Sequence, residues 1–249
     1  MGRFATTVPL YEQFRPPYPT EFFRAVAHKV GLRKDHRLID LGTGPGLIAL
    51  GFSPYVGCIV GVDPEPAMLA AARQAAARTL QNFALIETKA EALPMDVGRF
   101  NVVTIGRALH WMATEPTAAL FDRLVAPGGA IVVCSSNSAS DGRNPWLGEY
   151  NDARRFWSGS AEGERFNHVL DTILRGTRFR VSGTIAVESI HRVRVDDLAR
   201  RVLTFSSSST AVLGDKGEAM LQDVGKRLIP FSNAGMLDEF VVSTAQVAR

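Results

Sequence analysis

Leu38-Ile39-Asp40-Leu41-Gly42-Thr43-Gly44-Pro45-Gly46 decides the fold. A short apolar run carries an acid near its end, then breaks into glycines at every second position, and an apolar pattern of helical type resumes at Leu47. The order is strand, tight turn, helix. Glycine lets the backbone approach a ligand closely, and a helix start offers N–H groups without an intrahelical partner.

The same unit recurs downstream. Cys58–Asp63 reads as a second strand, and Pro64-Glu65-Pro66 opens a helix that continues through the alanine-rich 68–78. Proline is tolerated in a first helical turn because its missing N–H would have no partner there. Phe83–Glu87 reads as a third strand and 100–105 as a fourth. A helix over 117–124 follows, and Pro127-Gly128-Gly129 turns the chain into a fifth strand at 130–134. Apolar strands alternating with helices predict a doubly wound, mostly parallel α/β sheet of Rossmann-like type with helices on both faces.

Outside this core, an aromatic, proline-rich arm (Tyr11, Phe14, Arg15, Pro16, Pro17, Tyr18, Pro19) leads into a helix over Thr20–Val30, with Thr20 as its N-cap. Residues 135–178 break the rhythm and lean to helix over a polar, aromatic stretch. A strand at 184–195, a helix opened by Val195-Asp196-Asp197, a helix at Gly217–Leu228 and a last strand at 239–248 complete the chain. The expectation is one domain: an N-terminal lid arm (1–36), a binding core (37–135), an inserted cap (136–180), and C-terminal strands with lid helices (181–249). The sheet is expected to hold seven strands, the last antiparallel, under a helical lid.

Composition sets outer bounds. The chain has 249 residues, 46% of them hydrophobic, enough for one sizeable core. No apolar run approaches the roughly 20 residues that span a bilayer. The N-terminus lacks the apolar stretch of a secretory signal, and Thr6 fits only a short, common acylation pattern. A membrane role is therefore not expected. Cys58 and Cys134 lie in strand-like segments and read as small buried hydrophobes rather than a disulfide or metal pair, which makes a cytoplasmic location the default. No metal site is expected. The net charge is +3, and the arginines are scattered apart from a group at Arg143, Arg154, Arg155 and Arg165. A solvated helix face explains that group better than a phosphate track, so no nucleic-acid partner is expected.

Ligands of doubly wound sheets bind beyond the C-terminal strand ends, where Asp40, the glycine turn and Asp63 should lie. A dinucleotide fingerprint requires a third glycine where Leu47 stands. A carboxylate at Asp40 would repel a pyrophosphate but suits a cationic ligand. S-adenosylmethionine carries a sulfonium and an ammonium and no phosphate. Asp63 can accept from both hydroxyls of a ribose.

The segment from Leu38 to Gly46 resembles the first motif of class I S-adenosylmethionine-dependent methyltransferases. Gly61-Val62-Asp63-Pro64 with Met68-Leu69, Lys89-Ala90-Glu91-Ala92-Leu93-Pro94, residues 100–105 and Leu124-Val125-Ala126-Pro127-Gly128-Gly129 are similar to the family's later elements, in the same order. The resemblance implies S-adenosylmethionine as cofactor. It implies that Gly42, Thr43 and Gly44 meet the methionine part, Asp63, Pro64 and Met68 the ribose side, and Ala90 and Glu91 the adenine. Asp40 would act through water or the glycine loop. Tyr11 with Arg15-Pro16-Pro17-Tyr18-Pro19, and Leu109-His110-Trp111-Met112, resemble a branch acting mostly on small molecules. That implies methyl transfer to an oxygen, nitrogen or carbon of a small-molecule substrate.

Several residues keep two readings. Tyr11 and Arg15 close over the cofactor or staple the first helix to the sheet. Glu91 is an adenine contact or an exposed loop acid. His110 is a general base near neutral pH or a packing and positioning residue beside Trp111. His28, His36, His168 and His191 lie away from the motif region. Arg107 contacts cofactor, forks onto a substrate carboxylate, or pairs with a neighbouring helix. Trp111, Trp146 and Trp157 line a substrate wall or pack in a core. Three rival functions remain at this level: a nicotinamide-dependent oxidoreductase, a non-catalytic protein on the same fold, and methylation of RNA, DNA or protein, against which Gly106-Arg107-Ala108-Leu109 stands in place of an Asn-Pro-Pro-Tyr type signature. Leu47 and the lack of a Tyr-x-x-x-Lys pair weigh against the first.

Overall fold

A computed structural model describes residues 8–78, 83–112, 114–158, 169–205 and 208–249. Thr6, Arg165, His168 and the serines at 206–207 lie outside them. The elements run α1 (Val8–Phe14), α2 (Thr20–Val30), β1 (Arg37–Leu41), α3 (Leu47–Phe52), β2 (Cys58–Asp63), α4 (Pro66–Ala77), β3 (Phe83–Glu87), β4 (Phe100–Gly106), α5 (Thr114–Leu124), β5 (Val125–Ser138), α6 (Leu147–Ser158), α7 (Val169–Leu174), β6 (Val181–Arg194), α8 (Val195–Arg201), α9 (Thr210–Leu213), α10 (Gly217–Leu228) and β7 (Met236–Ala248).

The sheet has seven strands in the order β3-β2-β1-β4-β5-β7-β6. Neighbours from β3 to β5 pair in parallel, and the last strands are antiparallel. The expected doubly wound, mostly parallel architecture is therefore observed. The chain forms two compact units. Unit 1 comprises Met1–Pro17, Ser136–Gly163 and Glu188–Val242; unit 2 comprises Tyr18–Ser135, Glu164–Val187 and Ser243–Arg249.

In unit 2 the side-chain alternation of the strands sorts two apolar layers. Ile39, Leu41, Val62, Val103, Ile105 and Ile131 face one side, where Leu120, Phe121 and Leu124 of α5 and Ile173 of α7 cover them. Leu38, Ile59, Val102, Ala130, Val132 and Cys134 face the other, covered by α2 and α3 through Phe22, Phe23, Val26, Ile48 and Phe52. β1 and β2 are apolar almost throughout because a parallel sheet is buried on both faces. Phe23 stands edge-on to Phe52 at 5.0 Å. It fits because Gly51 has no side chain; a Cβ there would lie 2.0 Å from the Phe23 ring.

Several boundaries differ from the sequence reading. The N-cap of α2 is Pro19 in extended geometry, not Thr20, which already takes a helical conformation. Helix α5 begins at Thr114 rather than 117. Pro127-Gly128-Gly129 does not end one element and start another. It lies inside β5, with Gly128 at φ 74 and a register shift against β4 between Phe100 and Val102. The extra residues are taken up as a bulge, which proline and glycine accommodate. β6 and β7 begin at Val181 and Met236, three residues before their expected starts.

Unit 1 packs Trp146, just before α6, and Tyr150 and Ala153 of α6 against Leu198 and Val202, and against Met220, Val224 and Leu228 of α10. Its polar anchor is a buried ion pair. Arg201 donates to Glu239 at 2.5 and 2.8 Å, and Glu239 also accepts from the Ser138 hydroxyl at 2.6 Å. Arg201 further donates to the Phe14 carbonyl, so one guanidinium ties together α8, β7 and the end of α1. Removing one partner of such a pair strands the other as a buried charge. Glu239→Ala is therefore expected to lose roughly 3–5 kcal/mol in urea unfolding. The double change Arg201→Met/Glu239→Leu should recover most of that, and a single-variant loss under about 1 kcal/mol would show that the pair is not an anchor.

Candidate functional site

The order of the sheet reverses between β1 and β4, so the segments that leave these two strands diverge and open a crevice beyond their ends. The glycine turn after β1 fills one side of it. Gly42, Gly44 and Gly46 have φ of 68°, 53° and 90°. At Gly42 packing adds to the backbone demand: a Cβ would sit 2.4 Å from the Cβ of Ala108, in the segment after β4. The Gly42 and Thr43 amides both donate to the Val62 carbonyl of β2, at 2.8 and 2.9 Å. Gly46 caps α3, whose first residue is Leu47.

Asp40 lies beneath this turn on the face covered by α2 and α3, and it is 1% exposed. In an otherwise apolar layer its carboxylate accepts from the Thr43 hydroxyl at 2.7 Å and from the Thr104 hydroxyl, its register partner on β4, also at 2.7 Å. Burial pushes its pKa up to about 6 against those two hydrogen bonds, and the nearby Asp63 charge pushes the same way. Asp40 thus meets the glycine turn through the Thr43 hydroxyl.

Asp63 ends β2 with one oxygen accepting from the Gly44 amide at 2.8 Å and the other from the Glu65 amide at 2.9 Å. Burial raises its pKa, and the two amides hold it down. Pro64 links it to α4. The Met68 sulfur lies 3.9 Å from where a Gly44 Cβ would stand. Ala90 is buried, and Glu91 is half-buried in a 3-10 turn at Ala90–Ala92.

Across the crevice, Arg107 takes φ 56°, a left-handed conformation that costs a non-glycine residue about 1–2 kcal/mol. Its amide donates to the Cys134 carbonyl at 3.2 Å, and its guanidinium lies 5.0 Å from the Tyr18 ring centroid. The Cys134 thiol is pushed up by burial, then by the Asp40 charge, and drawn down by Arg107, so all three groups share one neighbourhood. His110 is exposed and stands 4.9 Å from Trp111, which is half exposed.

Unit 2 therefore brings together Asp40, Gly42, Thr43, Gly44, Asp63, Pro64, Met68, Ala90, Glu91, Arg107, His110 and Trp111. Tyr11, Arg15 and Trp146 belong to unit 1. Trp146 is 1% exposed in that unit's core, stacked edge-on against Tyr150. Trp157 donates its indole N–H to Asp223 at 2.9 Å. Sequence reading missed Thr104 and Tyr18. Thr104 had a signal: a hydroxyl inside the buried strand Phe100-Asn101-Val102-Val103-Thr104-Ile105 must find a partner. Among the described residues no His, Cys, Asp and Glu cluster could hold a metal ion, and no helix is long and apolar enough to cross a membrane.

This geometry coincides with a known family segment. A methyltransferase domain profile matches residues 38–129. An uncharacterized methyltransferase of Mycobacterium tuberculosis is 32% identical over 130 residues, covering 51% of this chain and 49% of its own length. The demethylmenaquinone methyltransferase of Thermus thermophilus is 37% identical over 100 residues, covering 39% of this chain and 46% of its own. The chain thus spans about half the length of these curated relatives. A solved structure from Anaeromyxobacter dehalogenans, described as a candidate type II methyltransferase, superposes with a TM-score of 0.64 at 18% identity, covering 94% of this chain and 97% of that one. The likeness to that structure is one of fold. The glycine turn and the paired acids Asp40 and Asp63 fall inside the segment, residues 38–129, that is similar to the methyltransferase domain family.

Proposed function

We propose that the protein transfers a methyl group from S-adenosylmethionine to an oxygen, nitrogen or carbon of a small molecule. The observation that carries this reading is the buried Asp40 carboxylate beneath a glycine turn whose cradle a Cβ would fill. A buried anion at that place disfavours a pyrophosphate and favours a cation. When bound, S-adenosylmethionine supplies an electrophilic methyl on a sulfonium. The chain's residues supply the rest. Gly42, Thr43 and Gly44 present backbone at close range, Asp63 offers its remaining lone pairs to ribose hydroxyls, and Ala90 and Glu91 flank the adenine. Arg107 and Trp111 bound the acceptor side. His110, exposed at the crevice, accepts a proton from acceptors that carry one. Holding acceptor and methyl in line is the larger part of the work. The quinone-type acceptor named for the Thermus relative supports the small-molecule class.

Calorimetric titration tests the cofactor. S-adenosylmethionine and S-adenosylhomocysteine are expected to bind in the micromolar range and NAD(H) not at all. Asp63→Ala should weaken the former at least tenfold, and saturable NAD(H) binding would overturn the assignment.

Asp40 adds a pH signature. Its folded pKa near 6 exceeds the unfolded value of about 3.9. The folded state therefore holds the extra proton between these values, and stability is lost as pH rises through that window, by at most about 3 kcal/mol. Asp40→Asn should abolish that slope in urea unfolding measured from pH 4 to pH 7. In the wild type the preference for the sulfonium over the neutral thioether S-adenosylhomocysteine should fall as pH drops below about 6, as the carboxylate is neutralised. A preference independent of pH would remove Asp40 from cation recognition.

A further inference from the structure

β6 closes the sheet. It has β7 on one side, and among the described residues no strand lies beyond it. An edge strand presents a row of N–H and C=O groups on its outer side, a template for pairing with another strand. Folded chains usually blunt such an edge with a proline, a lysine, a bulge or a short length. β6 runs for 14 residues, Val181–Arg194, and contains neither proline nor lysine. From Ser182 onward its even-numbered residues are exposed and its odd-numbered ones half-buried. Glu188, Ile190 and Arg192 therefore stand in one row on the exposed face, and all three belong to unit 1. Ile190, in the middle of the row, is 63% exposed.

The opposite charges of this row cannot meet within one chain. Glu188 and Arg192 are four residues apart, about 13 Å along a strand. Glu188 pairs with Arg143 at 2.8 Å on an open surface, where an ion pair contributes little. A carboxylate offers roughly four lone-pair sites, so Glu188 can accept from a second guanidinium. Arg192 makes no ion pair among the described residues.

We propose that β6 pairs antiparallel with β6 of a second copy of this chain, about a two-fold axis at Ile190, and so forms a homodimer. In that register Ile190 faces Ile190 of the second copy, Glu188 faces its Arg192, and Arg192 faces its Glu188. Side chains directly opposite on one face of an antiparallel pair have Cβ atoms about 4.5–5.5 Å apart, which suits both charge pairs and the isoleucine contact. On the other face His191 comes opposite Ser189 of the second copy. The same two groups are compatible within one chain, where the Ser189 hydroxyl and the His191 ring lie 2.8 Å apart. Neighbouring registers lose these pairings. Moving the axis by one residue sets Ile190 against Glu188 or Arg192, and moving it by two sets Glu188 on Glu188 or Arg192 on Arg192. Like charges directly opposite are destabilising. A patch complementary to itself is what a closed two-fold interface requires. The inference rests on unit 1 residues outside the crevice and stands whether or not the cofactor assignment does.

Sedimentation velocity of the full chain, from low micromolar to sub-millimolar concentration, tests the dimer. The wild type should pass from monomer to dimer over that range. Ile190→Lys sets two ammonium groups against each other at the axis and should raise the dissociation constant at least tenfold. Glu188→Arg and Arg192→Glu should each do the same, because each places like charges opposite one another. Mixed in equal amounts, with one of them fluorescently labelled, these two variants should form a heterodimer, since every arginine then faces a glutamate. That recovery separates charge pairing across the axis from simple damage to β6. A wild type that stays monomeric throughout, a dimer whose affinity Ile190→Lys leaves unchanged, or a mixture of the two charge variants that stays monomeric would each overturn the proposal.

Discussion

The hydrogen bonds that Asp40 accepts from Thr43 and Thr104 are the constraint on which the glycine-turn side of the crevice depends. They join three pieces of chain at the place where the sheet changes direction: the end of β1, the glycine turn and the middle of β4. A carboxylate buried in an apolar layer is costly, and its pKa is raised because burial outweighs the hydrogen bonds it accepts. The fold retains a destabilising group at its centre. Such retention is typical where a site is prepared for a ligand of opposite charge.

The glycine turn was legible from sequence because its demands are local. Three positions with positive φ, a strand before and a helix after leave a mark within nine residues. Asp63 was legible for the same reason, standing at the end of a second apolar run. The partners of these residues were not, since Thr104 lies 64 residues from Asp40 and only the parallel register of β1 with β4 brings them side by side. The left-handed backbone at Arg107 left no mark either, because glycine is the residue that announces such a conformation and none stands there. Its tertiary supports include the hydrogen bond that the Arg107 amide donates to the Cys134 carbonyl and the close seat of Ala108 under Gly42.

The same distinction runs through the rest of the chain. Alternating strands and helices in unit 2 follow from periodicity, and the two apolar layers follow from the alternation within each strand. Unit 1 is a different case. Its anchor joins Arg201 to Glu239 across 38 residues and Arg201 to the Phe14 carbonyl across 187. No period or spacing encodes contacts of that kind. The bulge in β5 escaped notice for a related reason. Pro127-Gly128-Gly129 has the composition of a turn, and pairing with β4 on both sides overrides that local preference.

On the proposed reaction, it follows why so few side chains at the crevice carry unmistakable chemistry. Displacement at a sulfonium methyl disperses charge rather than creating it, so the reaction needs less electrostatic stabilisation than one that builds an oxyanion. Alignment and exclusion of water then dominate, and both are properties of backbone and packing more than of a particular acid or base. On this chain the rigid parts are the glycine turn fixed to Val62, the Asp63 carboxylate fixed by two amides, and Arg107 fixed in a conformation that its own backbone disfavours. The exposed parts are His110 and Trp111. A crevice fixed on the glycine-turn side and open at these two residues fits the proposed function, in which one ligand is held by geometry. Acceptor choice is then left to side chains that can be exchanged without disturbing the fold.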